Sequence, residues 1–162
     1  MAKDSKNKNY SPVIENRKAR HDYHILDTLE CGIVLDGSEV KSVREGKVSL
    51  AEGYARVDER TGELLLHGVH IADYAPARGY YNAPAPTRTR KLLAHAREIR
   101  KLAQQTEARG VTLVPLKLYF KNGFAKVLIG VGEGKKQYDK REAKKEQEAR
   151  RDIERAMTRK RL

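Results

Sequence analysis

His21, His24, Cys31, His67 and His70 are the residues that invite a metal reading. His21 and His24 stand three apart, as do His67 and His70, but no pair of cysteines anchors either. On a strand, a spacing of three puts the members on opposite faces, so neither pair can close on one ion. Neither a metal nor any other cofactor is expected. His21, Asp22 and Asp27, with Glu30 or Glu39, could serve as general acid and base on a phosphodiester. Nothing in their spacing selects catalysis over hydrogen bonding to backbone or to RNA. Gly130-Val131-Gly132-Glu133-Gly134 follows a strand pattern, but no Lys-Ser/Thr follows it, so it reads as a hinge and not as a phosphate loop. Cys31 lies at an inward parity and reads as a small core residue.

The stronger signal is a positive field. The chain has 162 residues, a net charge of +12 and 35% charged residues, with a pI near 9.8. That balance favours polyanions. No apolar run reaches the roughly 20 residues that span a bilayer, and no helix sets a basic face against a broad apolar one, so nucleic acid is expected before membrane. A lone cysteine and an N-terminus without a signal-peptide core fit a cytoplasmic protein. Among the eight tyrosines, Tyr119 between Lys117 and Lys121, and Tyr138 between Lys136 and Lys140, are placed to stack on bases.

The elements that must position these groups are mainly β. Leu116, Leu118 and Phe120 alternate with Lys117, Tyr119 and Lys121, while Val127 and Ile129 alternate with Lys126 and Leu128. Asn122-Gly123 between the runs predicts a type I′ hairpin. An alternating stretch from Tyr23 to Leu35 predicts a strand, or two strands joined by a bulge near Gly32. Ser38 is read as the N-cap of a short helix closed by Gly46. Further strands are expected at 54–57 and 64–66, continuing through Val69 and Ile71. The pattern around 14–24 does not choose between strand and helix. A long helix is expected from Thr87 to Gly110, with Arg88, Arg90 and Lys91 in a first turn where the dipole disfavours them, which hints at an anionic ligand. Five or six short antiparallel strands, one short and one long helix make an OB-type closed barrel the economical architecture. The expected division is a disordered basic arm over 1–12, a barrel over 13–132, and a basic tail over 133–162. That tail should be disordered when free and helical on a polyanion, with Ile153 and Met157 on one stripe.

Several blocks together resemble one family. Asn16-Arg-Lys-Ala-Arg-His-Asp-Tyr23, Glu39-Val-Lys-Ser42, Thr87-Arg-Thr-Arg-Lys-Leu-Leu93, Leu113-Val-Pro-Leu-Lys-Leu-Tyr-Phe-Lys-Asn-Gly123 and Gly134-Lys-Lys-Gln-Tyr-Asp-Lys-Arg141 are similar to the SsrA-binding protein (small protein B) family. The resemblance implies a non-enzymatic barrel that binds the tRNA-like domain of transfer-messenger RNA. It would deliver that RNA, with elongation factor Tu, to stalled ribosomes for trans-translation. The tail would enter the empty mRNA channel by the decoding centre of the small subunit, and the protein would act as a monomer. The family's RNA contacts fall on Asn16, Glu30, Leu93 and Lys126. Neighbouring donors extend the expected RNA surface to Arg17, Lys18, Arg20, His21, Arg88, Arg90, Lys91, Lys117 and Tyr119. The ribosome-facing set is Lys135, Lys136, Tyr138, Asp139, Lys140, Arg141, Ile153 and Met157. Cys31 and Ala94 stand where the family usually has alanine and leucine, and Glu133 where lysine is common. A small RNA-cleaving enzyme and a constitutive ribosomal protein are the alternatives.

Overall fold

The computed structural model describes residues 11–74 and 84–160. Most of the basic arm and residues 75–83, with Tyr10, Tyr80 and Tyr81, lie outside the described residues. The described chain runs β1 (Ile14–Glu15), α1 (Arg17–Asp22), β2 (Tyr23–Ile33), α2 (Gly37–Arg44), β3 (Val48–Ser49), β4 (Tyr54–Val57), β5 (Leu64–His67), β6 (His70–Ile71), β7 (Arg90–Leu93), α3 (Ala96–Gln105), β8 (Val111–Lys121), β9 (Phe124–Gly134) and α4 (Gln137–Lys160). Following the pairings from β8 through β4, β5, β7, β2 and β9 leads back to β8, so the antiparallel sheet closes on itself. Closure removes the unpaired edges that an open sheet would expose. β1 adds to the outside of β8, and β3 with β6 forms a separate pair.

The hairpin forms as its residues dictate. Asn122 and Gly123 both adopt positive φ, 52° and 80°, the pair of angles a type I′ turn needs. Inside the barrel, Leu113, Leu118, Val127, Ile129 and Val131 pack with Leu64, Leu66, Leu92 and Cys31. Burial pushes the Cys31 thiol up to about 12, which leaves it protonated and inert as a small apolar filler.

Five local expectations are corrected. Of the two alternatives for 23–35 the single strand is the one formed, with its bulge between Ile25 and Asp27 and not near Gly32, and Asp27 breaks the apolar alternation because the ladder shifts there. A second shift, between Pro115 and Lys117, turns Leu116 out of the barrel. Leu116 joins Ala19 and Val114 in a smaller cluster beneath α1, apart from Leu118. Asp36, not Ser38, caps α2, with the Glu39 carboxylate accepting from the Asp36 N–H at 3.1 Å. The long helix from Thr87 is not formed: 90–93 is a strand that fills the ring between β5 and β2, and α3 begins only at Ala96. Finally, Gly130, Gly132 and Gly134, read as a hinge, lie within the strand. A Cβ on Gly130 would lie 2.8 Å from Leu116 Cδ1, and one on Gly132 3.0 Å from Tyr23 Cβ, so their smallness admits the Leu116 and Tyr23 side chains against β9. β9 continues to Gly134.

Asn16 fastens α1 to this frame. It is 4% exposed. Its Oδ1 accepts from the Ala19 N–H at 3.1 Å, and its Nδ2 donates to Leu50 O at 3.1 Å and Pro115 O at 2.8 Å. Asn16→Ala removes a helix cap and strands two buried carbonyls, so it is expected to cost about 2–4 kcal/mol of stability, read as a lowered urea midpoint.

Candidate nucleic-acid interface

Register brings most of the expected RNA-facing residues of the barrel onto one outer face. On β8 and β9 the outward positions pair as Lys117 with Leu128, Tyr119 with Lys126, and Lys121 with Phe124. Across the next ladder, Lys126 pairs with Gly32 and Leu128 with Glu30. Gly32 in turn pairs with Leu93 of β7. A single row therefore crosses four strands: Tyr119, Lys126, Gly32, Leu93. Gly32 lets the Leu93 side chain lean over the sheet, since a Cβ there would meet Leu93 Cβ at 3.2 Å. Leu93 is 51% exposed, so it forms an apolar shelf and not core packing.

Glu30 is the acidic member of this basic face. The Tyr119 hydroxyl donates to its Oε2, and the Lys121 ammonium lies 3.4 Å from Oε1. The hydroxyl bond first, then Lys121 and Lys126, holds its carboxyl below the usual range. Desolvation and the neighbouring carboxylate push the Tyr119 phenol up to about 12, so it stays a donor. Glu30 thus sits ionised and held in place, able to accept from the amino or imino edge of a base or from a ribose hydroxyl. Lys126 and Lys121 offer charge to phosphate.

A second cationic group surrounds α1. Arg17, Lys18 and Arg20 are exposed and His21 is half-buried. Lys18 pairs with Glu52 at 2.9 Å, and His21 Nδ1 with Asp22 at 2.9 Å. Asp22 also anchors the root of the tail. The Lys135 N–H donates to Asp22 O at 2.9 Å, Lys140 Nζ lies 3.8 Å from the Asp22 carboxylate, and Lys135 Nζ lies 3.4 Å from Arg20 O. The bond from His21 is the chief reason the Asp22 carboxyl titrates low. From there α4 extends with Lys136 and Arg141 exposed, and with Ile153 and Met157, 56% and 63% exposed, on an uncovered stripe. The helical form is the one seen, although the stripe buries little. The Tyr138 and Asp139 side chains lie outside the described residues.

Three expected contacts are placed elsewhere. Asn16 is buried and spends its amide on backbone, so it shapes the interface and does not face it. Arg90 is 0% exposed and points inward, donating from Nε to Glu39 at 2.7 Å and from its terminal nitrogens to Val69 O and Pro86 O. Arg88 joins the same carboxylate. Two of the three cations read as a dipole-defying helix turn, Arg88 and Arg90, are therefore the counter-ions of buried Glu39. Their anion is internal. Lys91 is exposed on β7 and paired with Glu63 at 2.7 Å. Among the described residues no group of three or more His, Cys, Asp or Glu is arranged to hold a metal ion. No helix of the described chain is long and apolar enough to cross a membrane.

A family model described as SmpB protein matches residues 13–159. The chain belongs to the SmpB protein family. The family match thus spans barrel and tail together. Similar proteins include the SsrA-binding protein of Geobacillus sp. (strain WCH70), 57% identical over 144 residues covering 89% of this chain and 90% of that one. The SsrA-binding protein of Latilactobacillus sakei subsp. sakei (strain 23K) is 52% identical over 157 residues, 97% of this chain and 98% of its own. A solved chain described under "tmRNA-SmpB: a journey to the center of the bacterial ribosome" superposes with a TM-score of 0.65 at 50% identity, covering 82% of this chain and 94% of that one. Two members of the outer face escaped the sequence reading. Lys121 enters the sequence pattern only as a neighbour of Tyr119. Phe124 shares the outward parity of Lys126 and would have been found by extending that alternation back to the turn.

Proposed function

We propose that this chain binds the tRNA-like domain of transfer-messenger RNA and delivers it to stalled ribosomes for peptide tagging and ribosome rescue. The observation that carries this is a family match running unbroken through the barrel and the tail, on a chain whose outer sheet face gathers Glu30, Leu93, Tyr119, Lys121 and Lys126. The sheet face holds the RNA by phosphate contacts from the lysines, by the apolar shelf of Leu93 and by acceptance at Glu30. The exposed tail reports an empty mRNA channel. The protein works as a non-enzymatic monomer in the cytoplasm, with elongation factor Tu in the delivery complex.

The test is a purified translation system stalled on a message without a stop codon. Tagged peptide should form only when both the protein and the RNA are added. Tagging that proceeds equally without the protein would overturn the reading, as would RNA cleavage by the pure protein that disappears in His21→Ala. Sedimentation with every ribosome, irrespective of stalling, would favour a constitutive ribosomal component. Lys126→Ala should weaken RNA binding and lower the slope of log affinity against log salt by about one, the loss of a single phosphate contact. An unchanged slope in a filter-binding titration would remove Lys126 from the interface.

A further inference from the structure

The chain has two phenylalanines, and the fold treats them oppositely. Phe120 packs against the barrel core and is covered by the Arg44 guanidinium, 5.0 Å from the ring centroid. Phe124, the first residue of β9, is 70% exposed. Leaving most of a phenyl ring in water forgoes roughly 1–2 kcal/mol of burial, and a two-residue turn does not require an aromatic after it. The ring's surroundings name its occupant. Phe124 pairs with Lys121, and the next outward residue on its strand is Lys126. The turn beside it is pinned by two positive φ angles, so the ring stands on a rigid hairpin tip. Cations on both sides of an exposed aromatic on a rigid strand suit a base flanked by phosphates. They do not suit an apolar protein surface, where the ammonium groups would lose hydration without a partner.

We infer that Phe124 is a stacking platform for one unpaired nucleobase, with Lys121 and Lys126 holding the adjoining phosphates. This role rests on the RNA-binding reading above and extends the interface beyond Tyr119 to the end of the hairpin. The ring reads no sequence, because every base has a face to offer. It selects against fully paired RNA, whose bases are already stacked. The base can belong to the tRNA-like RNA or to ribosomal RNA, and the same chemistry serves both.

The chain contains no tryptophan, so Phe124→Trp installs a single reporter at the proposed contact. Its emission should be quenched when the tRNA-like RNA binds, or when small ribosomal subunits bind, and the arm that quenches identifies the source. A fully paired duplex of equal length should leave the emission unchanged. Phe124→Ala should weaken binding to the quenching RNA roughly 5- to 100-fold, and Phe124→Tyr should restore it. Wild-type-like affinity of Phe124→Ala for both RNAs, or a reporter insensitive to bound RNA, would overturn the stacking role and leave the RNA-binding reading intact. Wild-type protein that binds neither RNA would bring down that reading and this role with it.

Discussion

Arg90→Met is expected to destabilise the protein by about 3–5 kcal/mol, because it leaves the Glu39 carboxylate buried with half its compensation removed. That is a large share of the roughly 5–15 kcal/mol by which a domain is folded. The geometry explains the size. Glu39 is 4% exposed; Oε2 takes the Arg90 Nε at 2.7 Å, while Oε1 takes Arg88 and the Asp36 N–H. Arg90 also donates to the carbonyls of Val69 and Pro86, so its loss strands backbone acceptors as well. The urea midpoint should fall with the slope unchanged. Replacing both members, Glu39→Leu with Arg90→Met, should recover part of the loss, because an apolar pair removes the unpaired charge. A double variant no better than Arg90→Met would locate the cost in the carbonyls and not in the ion pair.

The same cluster sets the response to acid. Burial opposes the charge on Glu39, but the hydrogen bonds from Arg88, Asp36 and Arg90 outweigh it and hold the carboxyl below its ordinary value. A carboxyl depressed in the folded state contributes stability that is present above its unfolded value, near 4.3. That contribution is lost as pH falls through the lower folded value. Glu39→Gln should therefore be less stable than wild type at neutral pH, with the gap closing below about pH 4.

The outer face was legible because it obeys the period of two. Lys117, Tyr119 and Lys126 take outward positions by alternation alone, and the Asn122-Gly123 turn fixes which of them face one another. Other residues sit where the pattern does not place them, for physical reasons that it does not carry. Leu116 shares the parity of Leu118 in the sequence, yet the ladder shift at Pro115 sends it to the cluster under α1. Leu92, Leu93, Ala96 and Ile99 satisfy a helical spacing, but the demand of ring closure between β5 and β2 takes the first two into a strand. Asn16 and Arg90 are polar whether they face RNA or backbone. Only their partners, 34 to 99 residues away for Asn16, show that both are structural.

Truncation after Gly134 is expected to abolish peptide tagging while leaving specific RNA binding by the barrel within a few-fold of wild type. β9 keeps every pairing up to Tyr23 with Gly134, so the cut removes no strand contact. What it removes at the body is the Lys135 N–H bond to Asp22, the long Lys135 Nζ contact with Arg20 O and the half-buried Lys140–Asp22 pair, each worth about 1 kcal/mol or less. What it removes beyond is the whole of α4. From Lys135 to Leu162 the sequence carries twelve cations and six acids, half of the chain's net charge of +12. Non-specific affinity and its salt slope should therefore fall with the tail, whereas discrimination between tRNA-like RNA and unrelated RNA of equal length should persist. Gel shifts at two salt concentrations, beside a tagging assay on a stop-less message, separate these effects. Ile153→Asp with Met157→Asp isolates the apolar stripe without shortening the chain. If the stripe seats the helix on the ribosome, this variant should tag as poorly as the truncation while binding RNA through the intact barrel face. Normal tagging by the double variant would show that the tail acts through its charge alone. Loss of specific RNA binding on truncation would show instead that the barrel and tail form one interface, with Asp22 as its joint.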